Sequence, residues 1–296
     1  MQLLVNAILT GGLYSALAAG FSILYGVMNV MNVAHGAFIM VGAYISYTMF
    51  TTFNIDPFIS LPISGLGLFI LGFIFYRYVF KRIMGAGIFM GMVITYGFSL
   101  LLENIIMLIY SSNYRGITTA YSGKSFSMFD VIIPYTRLAI FLSALLLTVL
   151  IFLFMKYSRM GKSITAVSLN KYAASLVGID INFIFNITFA IGTGLAGIAG
   201  GLLASVNIIY PQMGVSVLFK SFVVAVLGGL GNMSGVLIGG ILLALFEVLG
   251  AQILGPNYFQ LIGFLLMVLV LCIRPQGVLG RKFFASVTSK EIGTEG

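Results

Sequence analysis

Residues 216–252 read SVLFKSFVVAVLGGLGNMSGVLIGGILLALFEVLGAQ, two apolar runs parted by Gly228-Gly229-Leu230-Gly231-Asn232. A helix that crosses a bilayer needs about 20 mostly apolar residues to span a hydrocarbon core of about 30 Å. The stretch Val217 to Leu227 ahead of the glycines covers only about 16 Å as helix. The segment therefore reads as a broken or re-entrant membrane element. Non-helical backbone at that depth is tolerated only where it is buried in protein or lines a cavity.

The rest of the chain supports a membrane setting. Of its 296 residues, 60% are hydrophobic and only 7% charged, with a mean hydropathy of +1.12. A soluble domain of this size carries roughly a quarter of its residues as charges, so most of this surface must face lipid. Long apolar spans are expected near Leu3 to Tyr25, Phe58 to Tyr78, Ile88 to Tyr110, Leu138 to Met155, Ile181 to Ile208 and Tyr258 to Ile273, with a shorter one from Ala37 to Phe53. The expected fold is an all-α polytopic membrane protein, a single domain over residues 1–296, with about eight transmembrane or re-entrant helices. No basic residue precedes the first apolar stretch, so that span reads as retained.

Basic residues in short loops orient a membrane chain with those loops in the cytoplasm. Arg77, Lys81 and Arg82 form one cluster; Lys156, Arg159, Lys162 and Lys171 a second; Arg274, Arg281, Lys282 and Lys290 a third. The loop Ser111 to Arg137, rich in Ser, Thr and Tyr, is expected outside. Parity then requires the interrupted segment 216–252 to start and finish outside. The net charge of +8 is spread over these loops rather than gathered on one face with interleaved aromatics, which argues against nucleic acid. Cys272 is the only cysteine, so no disulfide framework or cysteine metal site can form within the chain.

A second Asn and Gly break, Asn29-Val30-Met31-Asn32-Val33-Ala34-His35-Gly36, separates the first span from the next. Corresponding breaks in two halves of a transporter point to the solute path. Asn29, Asn32, His35, Gly231 and Asn232 are accordingly the candidate path residues, although each break also reads as turn-forming backbone with no ligand. His35 is the only histidine and makes no metal site alone. Glu103 and Glu247 are acids within apolar spans, each expected to face the bundle interior or a partner. Small residues from Gly192 to Gly201, and at Gly239-Gly240, suit close helix packing in lipid. No phosphate-binding Gly-x-x-x-x-Gly-Lys-Ser loop, paired carboxylates or His-Glu-x-x-His helix is present, so an enzyme is not expected.

The loop of residues 158–180 carries Ile164, Val167, Leu169, Tyr172 and Leu176 at helical spacing, with Gly178 as a stop. It reads as a short amphipathic helix that lies on lipid or inserts into a partner's groove.

These residues together resemble the branched-chain amino acid permeases of ABC importers, of the LivH type. The likeness runs through Gly12-Leu13-Tyr14-Ser15-Ala16-Leu17, Asn32-Val33-Ala34-His35-Gly36, Gly42-Ala43-Tyr44, Gly228-Gly229-Leu230-Gly231 and Arg274-Pro275-Gln276-Gly277-Val278-Leu279-Gly280. Val33 and Asn170 depart from the Phe and the acid that such permeases commonly carry there. The resemblance implies a multi-pass subunit of the bacterial inner membrane with its C-terminal tail, 275–296, in the cytoplasm. It implies a second related permease, two cytoplasmic ATPases and an extracytoplasmic solute-binding protein. This chain would bind no ATP and hold no cofactor or metal of its own. Asn170, Lys171, Ala174 and Gly178 would belong to the helix that couples pore to ATPase. Urea and short amides are alternative solutes to branched-chain amino acids, and a stand-alone secondary transporter or channel is the alternative class.

Overall fold

Capping residues set where the helices begin and end. In the computed structural model, which describes residues 1–83, 87–128, 131–255 and 258–279, α1 (Gln2–Met28) stops at Asn29 in the left-handed conformation. After the irregular segment 29–34, α2 (His35–Phe53) runs to a second left-handed asparagine, Asn54. Asp56 then accepts from the Phe58 N–H and Pro57 takes the first helical position of α3 (Pro57–Tyr78). A 3-10 turn, Phe80–Arg82, leads toward α4 (Ile88–Tyr110). A small antiparallel hairpin, β1 (Ser125–Met128) with β2 (Val131–Pro134), precedes α5 (Tyr135–Tyr157). Then follow α6 (Arg159–Leu169), α7 (Lys171–Leu176), α8 (Ile181–Ala204), α9 (Met213–Gly228), α10 (Met233–Leu254) and α11 (Phe259–Ile273).

Among the described residues, seven helices are long and apolar enough to cross a membrane, namely α1 to α5, α8 and α10, and α9 and α11 are shorter apolar helices. The architecture is all-α and polytopic as expected, with the hairpin an addition between α4 and α5. Asp130 and the basic residues from Arg281 onward lie outside the described residues.

Helices α1 and α8 form the centre and α4 and α5 the exposed rim. In its most apolar window α1 is 89% buried inside the protein and α5 only 17%. Small residues make this possible. A Cβ on Gly197 of α8 would stand 2.5 Å from the Ser64 carbonyl oxygen of α3 and 2.9 Å from Leu68 Cβ, so α3 and α8 touch backbone to backbone. An aromatic cluster of Phe75, Tyr76, Phe80, Phe98 and Phe189 fills the space below, with Phe75 and Phe98 stacked at 3.9 Å.

Two sets of contacts fix which ends lie together. Arg115 and Ile209 exchange backbone hydrogen bonds of 2.9 and 2.8 Å, and the Arg115 guanidinium lies over the rings of Tyr47 and Tyr110. Gln2 bonds both backbone groups of Ile132 at 2.8 Å. These join the start of α1, the far ends of α2 and α4, and the loop before α9 at one end. At the other end, the Val278 N–H donates to the Leu227 carbonyl at 2.8 Å, so the chain leaving α11 seats on the break between α9 and α10. Segment 213–254 therefore dips in and returns.

The two breaks are not at equal depth. His35 sits beside Gly20 and Gly192, and Gly192 lies about 16 Å along α8 from its start, half of a bilayer core. The break at 229–232 lies instead at the end where α11 leaves, because Leu227 bonds Val278 there, while α9 begins against Gly36, beside His35.

Candidate functional site

Segment 29–34 brings irregular backbone to mid-depth, and its polar groups find partners across three helices. Asn32 Oδ1 accepts from the Ala34 N–H at 3.1 Å and the Asn32 carbonyl accepts from the His35 N–H at 3.2 Å. The Val33 N–H donates to Thr95 Oγ1 of α4 at 3.1 Å. His35, fully buried, donates from Nε2 to the Leu17 carbonyl of α1 at 2.9 Å, which fixes its tautomer, and its ring meets Phe21 edge-on. The histidine is thus a pin between the start of α2 and the middle of α1.

Beside this segment lies a groove of about 180 Å³. Met31, Asn32 and Val33 form one wall, Leu218, Phe219 and Phe222 of α9 the other, and Phe21 the back. No charged side chain lines it.

The structure does not gather all five candidate path residues. Asn32 and His35 meet near the groove. Gly231 packs on Gly26 and donates its N–H to Ser22 Oγ at 3.1 Å. Asn232 caps α10 by accepting from the Gly235 N–H at 3.2 Å and donates Nδ2 to the Leu279 carbonyl at 2.7 Å. Both ends of that amide are spent on structure. Asn29, exposed, ends α1 in the left-handed conformation.

The sequence reading passed over Lys220. Its ammonium lies 3.1 Å from Glu247 Oε2 and donates to the Tyr14 hydroxyl at 2.6 Å, and Tyr14 donates to the same carboxylate oxygen at 2.5 Å. The triad ties α9, α10 and α1 together inside apolar helices. A basic residue in an apolar run is as costly as an acidic one, so scanning spans for cations as well as acids would have found it. Glu103, by contrast, is half-exposed on α4.

The coupling-loop expectation needs correction. One short helix was expected within the loop 158–180, but Asn170 ends α6 and caps α7, accepting from the Ala173 N–H at 3.0 Å. Each of the two short helices has a buried and an exposed apolar side. Ile164, Val167 and Ala174 are buried by this chain's own residues, Ala174 at 4% exposure. Leu169, Tyr172, Leu176 and Val177 are each at least 70% exposed. Lys171 lies over the Phe185 ring at 5.0 Å and burial pulls its pKa down, while Gly178, with φ +83°, ends α7.

The family model for the permease component of branched-chain amino acid transport systems matches residues 3–271. This chain belongs to that permease family. It is 33% identical over 294 residues to the high-affinity branched-chain amino acid transport system permease protein BraD of Pseudomonas aeruginosa, covering 95% of this chain and 96% of the relative. To the permease protein LivH of Salmonella typhimurium it is 30% identical, over the same shares. Among solved structures it resembles PsaBC from Streptococcus pneumoniae in complex with Fab, with a TM-score of 0.52, 13% identity and 93% of each chain covered. That likeness is one of fold alone.

Proposed function

We propose that this chain is one half of the membrane pathway of an ATP-driven importer for branched-chain amino acids or similar small solutes. The observation that carries the reading is the irregular segment 29–34 at mid-depth beside an open groove, which fits backbone that lines a path. The second half would be a related permease facing the groove. The exposed residues Leu169, Tyr172, Leu176 and Val177 of the loop 158–180 fit a hydrophobic anchor for an ATPase subunit. A solute-binding protein would dock at the end that carries the hairpin, with Lys81, Lys171 and Arg274 in the bacterial cytoplasm.

Co-purification with the ATPases, and ATP hydrolysis stimulated by loaded binding protein in liposomes, tests this reading. Topology is checked separately in a Cys272→Ser background. Lys124→Cys should react with an impermeant thiol reagent in intact cells, and Lys81→Cys should not. The pair Lys220 and Glu247 favours a second reading, a stand-alone secondary transporter, since ion pairs within spans mark ion pathways. Solute uptake by the lone chain in liposomes would establish it.

A further inference from the structure

The strap that follows α11 sits on the break between α9 and α10 through two hydrogen bonds and one glycine contact. The Val278 N–H donates to the Leu227 carbonyl at 2.8 Å, and the Leu279 carbonyl accepts from Asn232 Nδ2 at 2.7 Å. Gly277, buried and with φ +79°, lies so close that a Cβ there would stand 2.5 Å from the Val226 carbonyl oxygen. Little else fastens the strap. Arg274, Pro275 and Leu279 are exposed, no ion pair reaches residues 274–279 among the described residues, and α11 itself buries only Ile262, Gly263 and Leu266. The other side of the break is fixed more firmly, since Gly231 packs on Gly26 and its N–H donates to Ser22 Oγ of α1. Few buried apolar contacts mark the segments of a protein that open at low cost. Positive-φ glycines stand on both sides of the contact, Gly277 in the strap and Gly229 and Gly231 in the break, and such positions absorb the torsional change of a hinge. Release would bare the Leu227 carbonyl at a helix end, where water can replace the Val278 N–H.

We propose that residues 277–279 form a releasable latch on the end of α9. Seated, the latch holds α9 and with it the groove wall of Leu218, Phe219 and Phe222; released, it lets α9 swing as solute passes. This rests on the reading of the groove as the pathway. Phe222 stands about 8 Å along α9 from Leu227, so a rigid helix carries the motion from latch to groove. Asn232 is the positioning residue of the device, because its Oδ1 caps α10 while its Nδ2 holds the strap.

The test uses the complete importer in liposomes, with Cys272→Ser, Asn232→Cys and Leu279→Cys in this chain. A reducible bis-methanethiosulfonate reagent ties the strap where it already lies. Uptake of whichever of L-leucine and urea the unsubstituted importer carries should stop on bridging and return when dithiothreitol cuts the bridge. A strap that is only a brace tolerates being tied in place, so full uptake by the bridged protein overturns the latch. Should the cysteine pair not assemble, hydrogen exchange on the unsubstituted importer decides. Exchange of the Val278 amide should quicken during ATP hydrolysis, and equal exchange at rest and in turnover overturns the latch. Asn232→Asp keeps an oxygen for the Gly235 N–H and removes the donor to Leu279. Exchange of the strap at rest should then rise about three- to ten-fold while the Gly235 amide stays protected; a strap protected equally in both proteins overturns the role of Asn232. If the unsubstituted importer carries neither solute, the pathway reading itself falls, whatever the exchange of the strap shows.

Discussion

Lys220 of α9 and Glu247 of α10 face each other at 3.1 Å, with the Tyr14 hydroxyl of α1 within hydrogen-bond reach of both. Three helices that have little else polar between them thus share one charge-neutral knot.

Removing one member should be worse than removing both. Lys220→Met leaves the Glu247 carboxylate buried without its counter-ion, which costs about 3–5 kcal/mol, whereas the double change Lys220→Met with Glu247→Leu should recover most of that loss. Thermal melting of the detergent-solubilised protein reads the comparison. A double variant as unstable as the single one would show that the charges do not act as a pair.

Glycine substitutions should separate the centre from the rim. Gly197→Ala forces a Cβ against Ser64 and Leu68 and should cost about 1–3 kcal/mol. Gly97→Ala in α4 meets nothing within 4 Å and should be neutral or stabilising by up to about 1 kcal/mol. Melting temperatures that moved alike in the two variants would contradict the packing described.

In the loop 158–180, Leu176→Asp should leave the melting temperature unchanged and abolish co-purification of the ATPases, because Leu176 is 70% exposed. Ala174→Arg should lower the melting temperature of the lone chain, since its space is taken by this chain's own residues. The reverse pattern would return the docking face to Ala174.

Tyr121, between α4 and β1, donates to Asp56 Oδ2 at 2.8 Å. Burial, and then this bond to a carboxylate, push its phenol up from 10.0 to about 12. A raised value favours the protonated form in the fold, so the contribution is complete below pH 10 and fades as pH rises to about 12. The deficit in melting temperature of Tyr121→Phe should be constant from about pH 6 to 9 and shrink above about pH 10; a deficit that grows there would reverse the assignment.

The long spans and both breaks were legible because length and apolarity are local properties of the chain. The depth of each break was not, since it depends on which neighbour lies alongside: Gly192 for His35, and Val278 for the end of α9. Periodicity likewise placed helix in the loop 158–180 but treated Ile164 and Leu176 as one face. The kink at Asn170, a residue that can cap one helix while ending another, separates them. Asn32 was singled out as polar backbone support or solute contact, and only the partner map shows that its oxygen does the first while its nitrogen is left over.

The burial of α1 has a consequence for how the protein is made. This helix leaves the ribosome well before its principal neighbours, α8 and α10, which begin at Ile181 and Met233. At a synthesis rate of about 5–20 residues per second, the roughly 150 residues between Met28 and Ile181 take about 8–30 seconds to emerge. Throughout that interval the nascent chain holds a glycine-rich span, shaped for protein on every side, in contact with lipid or with an insertion factor. Folding therefore waits on the C-terminal half, and truncated chains should be removed by membrane proteases rather than accumulate.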